Sequence, residues 1–396
     1  MRFAEFFAGV GLVREGLENS GWQCVWANDI SADKMSTYVE NYGGEHFHLE
    51  DIWKVADKTE EILPKNVFLY TASFPCTDLS VAGARAGLAG SESGTLHAVL
   101  KILQQKSIVD DLPKVVMLEN VSGFLTSHNG KDVVDTVRAL SELGFVVDIL
   151  ELDAALFTPQ SRPRVFLIAV EKTIAQKIMH LKNPTDLSES WWRKFAEKPK
   201  LRSIKLKKII SSNEDLNWGL IDIPLPEQRK TMLADVIESE LLDNSALWWS
   251  QERKSQLFTQ MNPSHQAKLQ GMMSNNFYSY GTVFRRMRAG LSMAELRTDG
   301  VAGCLRTPRG GSSKQILIRA GYGTWDVRLL TPREYARLQG VRESFILPDN
   351  VNKGYFAMGD AVCVPVIEHL AKYALNPIYN VHLSPKNKLN ESTVCM

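Results

Sequence analysis

The fold is indicated most clearly by residues 2–29, which read RFAEFFAGVGLVREGLENSGWQCVWAND. This stretch begins with the apolar run Arg2–Phe7, which is typical of a strand, and continues through a glycine-containing turn. A helix is expected from about residue 12 to residue 20, and Gln23–Ala27 has the composition of a second strand. A strand, a helix and another strand in this order predict one unit of a parallel sheet.

The same alternation continues to residue 170. A helix is expected at Asp33–Tyr42, and further strands are expected at Val67–Ala72, Val115–Leu118, Phe145–Leu150 and Val165–Val170. The last two could form a hairpin. Helices return near the C-terminus, one with Thr331 as its N-cap and one at Val364–Ala374, which is expected to pack back on the first part. The fold class is therefore α/β, with a doubly wound, mostly parallel sheet.

Composition limits the class of protein. The chain has 396 residues, of which 44% are hydrophobic and 23% are charged, as in an ordinary globular protein. This length suggests two domains or one large domain with an insertion. It has no apolar run of about 18 residues and no signal peptide, so we expect a cytoplasmic protein without a membrane span. Its five cysteines are far apart and never form a C-x-x-C pair, which predicts neither a disulfide framework nor a metal site.

Charge divides the chain into three parts. Residues 171–327 have a net charge of +8, whereas residues 1–170 have −9 and residues 328–396 have +2. A basic middle segment suggests a module that meets a polyanion, although many solvated surfaces are also basic. We therefore expect one domain from residues 1–170 and 328–396, and a second, smaller domain from residues 171–327.

The first turn and the strand after it suggest a nucleoside site. Gly9 and Gly11 would let the backbone approach a ligand, and Asp29 ends the second strand, where a carboxylate can accept both hydroxyls of a ribose. Arg14 stands where a dinucleotide site would have glycine, so a nicotinamide dinucleotide is disfavoured. A purely structural turn remains the alternative.

Three further groups are placed at strand ends. Cys76 follows the third strand, Glu119 ends the fourth, and Arg162 and Arg164 precede the last one. Such positions are where parallel sheets bind ligands, but an inert thiol, a surface acid and two surface arginines would be the plain interpretations. The glycine-rich stretch after Cys76, residues 77–95, is typical of a lid.

Taken together, these motifs resemble one family. FAGVG, FPCTDLS, ENV, QSRPR, RLLTPREYARLQG and GYFAMGDAVCVPV occur in the order and spacing of the DNA (cytosine-5)-methyltransferases. The resemblance covers residues 1–170 and 328–375. It implies a Rossmann-like domain that uses S-adenosyl-L-methionine, followed by a smaller target-recognition domain.

The resemblance also implies a mechanism. Cys76 would be the nucleophile that adds to C6 of a flipped-out cytosine, Glu119 the acid at N3, and Arg164, with Arg162 less directly matched, the group that binds O2. The base that removes the C5 proton has no counterpart in the motifs. The expected product is 5-methylcytosine within a specific short sequence of double-stranded DNA.

The cofactor residues carry over by position. They are Phe7, Ala8, Gly9, Gly11, Asp29, Ile30, Asp51, Ile52, Pro75, Leu96, Asp360, Ala361 and Val362. Two of these depart from the family pattern. Asp360 replaces the more usual asparagine, and Ile30 can pack against an adenine but cannot stack on it.

The target-recognition region is assigned by its place in the chain and by its charge. The candidates for contact with DNA are Ser80, Arg285, Arg286, Arg288, Arg306, Arg309 and Lys314. For any single arginine, contact with a phosphate is a plainer interpretation than contact with a base. The paired tryptophans, Trp191-Trp192 and Trp248-Trp249, are expected in the core rather than as stacking platforms.

Two other functions remain open at this point: a transfer RNA methyltransferase of the same fold, and a DNA-binding protein that no longer catalyses. The family habit implies a monomer and no metal. It also implies a cognate restriction endonuclease as a functional partner rather than a bound one.

Overall fold

The structure is a computed structural model that describes residues 1–75, 93–182, 189–241, 245–288, 290–307 and 314–384. Cys76, Ser80, Arg309 and nearly all of the predicted lid lie outside the described residues, as does the side chain of Arg288. No described helix has the length and apolar character needed to cross a membrane.

Seven strands form the large sheet, in the order β3-β2-β1-β4-β5-β7-β6. They are β1 (Arg2–Phe6), β2 (Gln23–Asp29), β3 (Phe47–Leu49), β4 (Leu69–Ser73), β5 (Val115–Val121), β6 (Phe145–Asp153) and β7 (Pro163–Glu171). The first five are parallel, and β7 is antiparallel to both of its neighbours, so the predicted hairpin of β6 and β7 is confirmed. The doubly wound α/β class is confirmed as well.

Helices cover both faces of this sheet. They are α1 (Leu12–Glu18), α2 (Ala32–Tyr42), α3 (Ile52–Asp57), α4 (Thr59–Ile62), α5 (Leu96–Ile108), α6 (Lys131–Glu142) and α7 (Lys172–Ile178). Alternate residues of β1 point to opposite faces: Phe6 packs with α3 and α5, and Phe3 packs with α1. The sheet is thus buried on both sides, which explains why its strands have nearly continuous apolar sequences.

Residues 172–223 pack on the outer edge of the same sheet. Their elements are α7, β8 (Met179–Leu181), α8 (Ser190–Ala196), α9 (Ile204–Ser211) and β9 (Gly219–Ile221). The amide of Val147 in β6 donates to the carbonyl of Asn217 at 2.8 Å, and Trp191 is buried with the core of the large sheet. The predicted domain division at residues 170 and 327 stays a prediction, but this packing joins residues 172–223 to the large sheet.

A second, antiparallel sheet of four strands follows, in the order β11-β10-β12-β13. Its elements and the helices beside it are α10 (Leu233–Val236), α11 (Gln251–Thr259), α12 (Pro263–Met273), β10 (Ser279–Arg288), β11 (Leu291–Arg297), β12 (Ile316–Gly321) and β13 (Thr324–Leu329). Residues 245–327 contain 11 basic and 4 acidic residues, so they carry +7 of the +8 assigned to the basic segment.

The C-terminal segment returns to the large sheet. It contains α13 (Pro332–Leu338), α14 (Val351–Asp360), α15 (Val364–Leu370), a π-helical turn at residues 371–375 and α16 (Asn376–Leu383). Thr331 accepts from the amide of Glu334, as expected of an N-cap. Helix α15 packs on α1, where a Cβ on Gly16 would lie 2.7 Å from Cβ of Ile367.

Candidate active site and cofactor pocket

The carboxyl ends of β1, β2, β4 and β5 meet at one edge of the large sheet. Register pairs Ser73 of β4 with Glu119 of β5, and Phe6 of β1 with Asn28 of β2. Most of the predicted site residues of the first half of the chain therefore lie along this edge, which is the usual ligand-binding edge of such sheets.

Glu119 and Arg164 form a pair at this edge. Nε of Arg164 lies 3.1 Å from Oε1 of Glu119, and the two side chains are only 14% and 10% exposed. The pair forms because β5 and β7 are antiparallel neighbours in which Val121 lies opposite Arg164. The structure thus brings together an acid and an arginine that are 45 positions apart in the chain.

The residues before Cys76 are held against the same strand. Nδ2 of Asn120 donates to the carbonyl of Phe74 at 3.0 Å, and Phe74 is buried against Phe124. This hydrogen bond ties the chain leading to Pro75 to the residue next to Glu119. Cys76 itself lies outside the described residues, so its role stays a prediction.

Arg162 has different surroundings from Arg164. It is 2% exposed, and its guanidinium donates to the backbone carbonyls of Leu305, Gly359 and Asp360 at 2.9, 3.2 and 3.3 Å. These contacts join three distant segments of the chain. The geometry therefore gives Arg162 a positioning role, and its predicted contact with a base stays a prediction.

A second thiol lies beside these arginines. Nη1 of Arg162 is 3.7 Å from Sγ of Cys304. Burial alone would raise the pKa of the Cys304 thiol, yet the positive charges of Arg162, Arg164 and Arg306 bring this pKa below its ordinary value. The sequence analysis missed this residue, because nothing adjacent to Cys304 in the chain marks it as part of the site.

The turn after β1 and the end of β2 form the cofactor side of the site. The carboxylate of Asp29 accepts from the amides of Gly9 and Ser31, both at 2.9 Å, which fixes its orientation. Gly9 has φ +58° with open space where a Cβ would be, whereas a Cβ on Gly11 would lie 2.6 Å from the ring of Tyr42. Phe7 also has a positive φ of 56°, and Ala8 is buried directly after it.

The neighbouring hydrophobic and acidic candidates lie next to this turn in the fold. Ile30 is 71% exposed, which is unusual for a large apolar side chain and leaves its surface available to a ligand. Asp51 caps α3 by accepting from the amide of Trp53 at 2.8 Å, while Ile52 and Leu96 are buried in the core below. Ile52 and Leu96 can therefore contact a ligand only at the inner wall of a pocket.

The C-terminal candidates follow α14, which contacts the start of α2. Oδ2 of Asp360 lies 3.1 Å from Nζ of Lys34, at the start of α2. The carbonyl of Ala361 accepts from Gln339, and Val362 is buried between α1 and α15. The ion pair joins the end of α14 to the start of α2, just after Ile30 in the chain, and the predicted cofactor contacts of residues 360–362 stay a prediction.

The candidates for contact with DNA have varied surroundings. Arg286 and Arg306 both lie over the ring of Phe284, at 5.2 and 4.9 Å from its centroid. Arg285 is partly buried near Trp249, and Nζ of Lys314 donates to Oδ1 of Asn352. Trp249 is buried in the core of the second sheet, as expected, whereas Trp191 is buried with the core of the large sheet and not with that of the smaller domain. Their neighbours Trp192 and Trp248 are half-buried.

The comparisons with known proteins agree with this geometry. The profile of the family described as C-5 cytosine-specific DNA methylase matches residues 1–376. The type II methyltransferase M.Bsp6I of Bacillus sp. (strain RFL6) is 26% identical over 379 residues, which cover 94% of this chain and 98% of the relative. M.HpaII of Haemophilus parainfluenzae, also a type II methyltransferase, is 23% identical, with 96% of this chain and 90% of the relative covered.

A solved structure shares the fold. The Dnmt2 methyltransferase of S. pombe matches with a TM-score of 0.59 at 18% identity, over 96% of this chain and 99% of that one. Since the family profile spans nearly the whole chain and the site lies where the shared motifs fall, the protein belongs to the C-5 cytosine-specific DNA methylase family and is a DNA (cytosine-5)-methyltransferase.

Proposed function

We propose that the protein methylates C5 of one cytosine within a short, specific sequence of double-stranded DNA. The observation that carries this proposal is the Glu119–Arg164 pair, which is largely buried at the sheet edge beside the chain that leads to Cys76. An acid and an arginine held together can bind adjacent polar atoms of one base, since a carboxyl group can donate to N3 while the guanidinium donates to O2.

In the proposed mechanism, the thiolate of Cys76 forms a bond with C6 of cytosine while the C5–C6 π bond breaks, and its electron pair makes C5 nucleophilic. Glu119 donates a proton or a hydrogen bond to N3, which relieves the negative charge that develops on the ring. Arg164 holds O2 and orients the base. After C5 has gained the methyl group, a base removes the C5 proton and the bond between Sγ and C6 breaks, which regenerates the thiolate.

S-adenosyl-L-methionine would supply the methyl group as an electrophilic carbon on a positively charged sulfur. The residues present fit this molecule: Asp29 is fixed by two amides and retains lone pairs for two ribose hydroxyls, and the exposed Ile30 offers an apolar surface to the adenine. Gly9 leaves open space at the turn where another residue would place its Cβ. Asp51 and residues 360–362 would complete the pocket around it.

The target base must leave the duplex, because its C6 atom is inaccessible to a thiolate within the stack. The basic four-stranded sheet and its helices would hold the flanking DNA, and their net charge of +7 favours a polyanion. We assign the candidates Arg285, Arg286, Arg288, Arg306, Arg309 and Lys314, together with Ser80, to this contact.

The biological setting is part of the same proposal. Type II methyltransferases among the relatives support a function in protecting DNA from a partner restriction endonuclease, which need not bind this protein. We infer that the protein acts in the cytoplasm as a monomer.

Methyl transfer from labelled S-adenosyl-L-methionine to DNA of varied sequence, followed by base-resolution mapping of 5-methylcytosine, tests the function. We expect one short motif to be methylated at every copy, and Cys76→Ser to abolish transfer while DNA binding persists. Transfer to transfer RNA instead of DNA would identify an RNA methyltransferase. DNA binding without transfer to either nucleic acid would identify a binding protein.

A further inference from the structure

Two buried glutamines lie between residues 302–307, here called the recognition segment, and residues 358–361, here called the cofactor segment. Gln160 directly precedes the Ser161–Arg164 stretch, and Gln339 is the C-cap of α13. Both side chains are 0% exposed, and Nε2 of Gln160 donates to Oε1 of Gln339 at 3.1 Å. Buried amides of this kind hold their surroundings in one arrangement, because a lost hydrogen bond leaves a polar group unsatisfied.

On one side, Gln160 holds residues 302–307, which precede the candidate DNA-contacting residues Arg309 and Lys314 in the chain. The amide of Leu305 donates to Oε1 of Gln160 at 3.3 Å, and the carbonyl of Leu305 accepts from Arg162 at 2.9 Å. Backbone bonds reinforce this contact, since Ala302 donates to Pro159 and accepts from Ser161. Both polar backbone groups of Leu305 are thus fixed by the stretch that also carries Arg164.

On the other side, four consecutive backbone carbonyls of the cofactor segment accept hydrogen bonds from Gln339 and Arg162. Gln339 donates to Met358 at 2.7 Å and to Ala361 at 3.0 Å, and Arg162 donates to Gly359 and Asp360. The two segments also touch directly, because a Cβ on Gly359 would lie 2.7 Å from the backbone of Arg306. A displacement of residues 305–307 therefore cannot leave residues 358–361 unchanged.

We propose that Gln160 and Gln339 are positioning residues that couple the two substrate sites, so that DNA on the recognition segment and the methyl donor at residues 360–362 each strengthen the binding of the other. This inference rests on the proposed function, which places DNA and the methyl donor at those segments. The coupling acts in both directions, as linkage requires. Neither glutamine touches the reacting atoms.

The test compares the dissociation constant of S-adenosylhomocysteine with and without a DNA duplex that carries the mapped target sequence. The native protein is expected to bind at least about fivefold more tightly with DNA, within the usual range of such coupling. Gln160→Met and Gln339→Met keep the side-chain length but remove the amide. Each should therefore bring the ratio of the dissociation constants without and with DNA close to one. Gln266→Met is the matched control, because Gln266 also donates to two carbonyls, those of Phe258 and Met261, but only within the recognition region.

A second measurement uses the native chain alone. S-adenosylhomocysteine without DNA should slow hydrogen exchange at the amide of Leu305, while the amide of Ala294, which donates to Gln260, should exchange as before. Unchanged exchange at Leu305, a native ratio of one, or an unaltered ratio in folded glutamine variants would each overturn the coupling. If the native protein transferred no methyl group to DNA, the proposed function would be overturned instead.

Discussion

At the scale of single residues, the proposed role of Glu119 in catalysis can be tested separately from cofactor binding. Glu119→Gln should lower the rate of methyl transfer by at least about 10²-fold, because the amide cannot supply a proton to N3. The affinity for S-adenosylhomocysteine should stay the same, since Glu119 is not among the cofactor residues. Single-turnover assays measure the rate, with Glu142→Gln on the exposed end of α6 as the control. A Glu119→Gln protein with native turnover would remove Glu119 from the mechanism.

Glu5 gives the stability of the protein a pH dependence. Burial, opposed by the charge of Arg14, raises the pKa of this carboxyl from 4.5 to about 8. The folded protein therefore keeps Glu5 protonated over a range in which the unfolded chain has lost that proton, so stability falls as the pH rises from about 4.5 to about 8. At 1.36 kcal/mol per pH unit, the loss is at most about 5 kcal/mol.

Glu5→Gln should remove this part of the pH dependence and raise the melting temperature at pH 8 more than at pH 5. Thermal unfolding at a series of pH values measures both effects, with Glu142→Gln again as the control. If the native and Glu5→Gln proteins lost stability in parallel between pH 5 and pH 8, the assignment to Glu5 would be wrong.

At the scale of elements, α2 and α14 are joined by two ion pairs. Lys34 pairs with Asp360, one of the proposed cofactor residues, at 3.1 Å, and Lys353 pairs with Asp33 at 2.7 Å. The first pair neutralises the aspartate that stands where the family more often has asparagine. Since both members are partly exposed, the pair should contribute about 0.2–1 kcal/mol.

Lys34→Ala should therefore raise the KM for S-adenosyl-L-methionine by up to about fivefold at low salt, with a smaller effect at high salt. Lys353→Ala should leave this KM unchanged, and exchanging the charges in Lys34→Asp with Asp360→Lys should restore much of the loss. Steady-state kinetics at two ionic strengths provide the test. An equal effect of Lys34→Ala and Lys353→Ala would mean that the pairs act only on the packing of the helices.

At the scale of the whole molecule, the second sheet and the helices beside it, residues 245–327, have a net charge of +7. If Arg286 and Arg306 contact phosphates, each change to alanine should make the slope less steep by about 0.9, where the slope is that of the logarithm of the association constant for DNA against the logarithm of the salt concentration. Fluorescence anisotropy between 50 and 200 mM salt would measure the slopes. Arg138→Ala is the control, because Arg138 lies on α6 of the large sheet, outside residues 245–327, and pairs with Asp215. Unchanged slopes in both arginine variants would show that DNA binds elsewhere.

Much of the large sheet could be predicted from the sequence, because its strands are buried on both faces and therefore have short apolar runs. The hairpin of β6 and β7 followed from their closeness in the chain. The packing of residues 172–223 could not be predicted in this way, since it depends on contacts such as Val147 with Asn217, far apart in sequence.

The site shows the same contrast. Asp29 and Gly9 are placed by local turn geometry, so their neighbourhood could be predicted from the residues themselves. The pairing of Glu119 with Arg164 needed the register of β5 and β7. Arg162 and Gln339 contact carbonyls some 20 to 200 positions away, and no spacing rule connects those carbonyls to them.

The packing of α15 on α1 has a consequence for synthesis. The apolar face of α1 emerges from the ribosome long before α15, whose Ile367 makes the closest approach to it. At about 5–20 residues per second, the contact between the two helices can form only tens of seconds after α1 has been made. All seven strands of the large sheet are made before α15, so this helix closes over α1 late in folding.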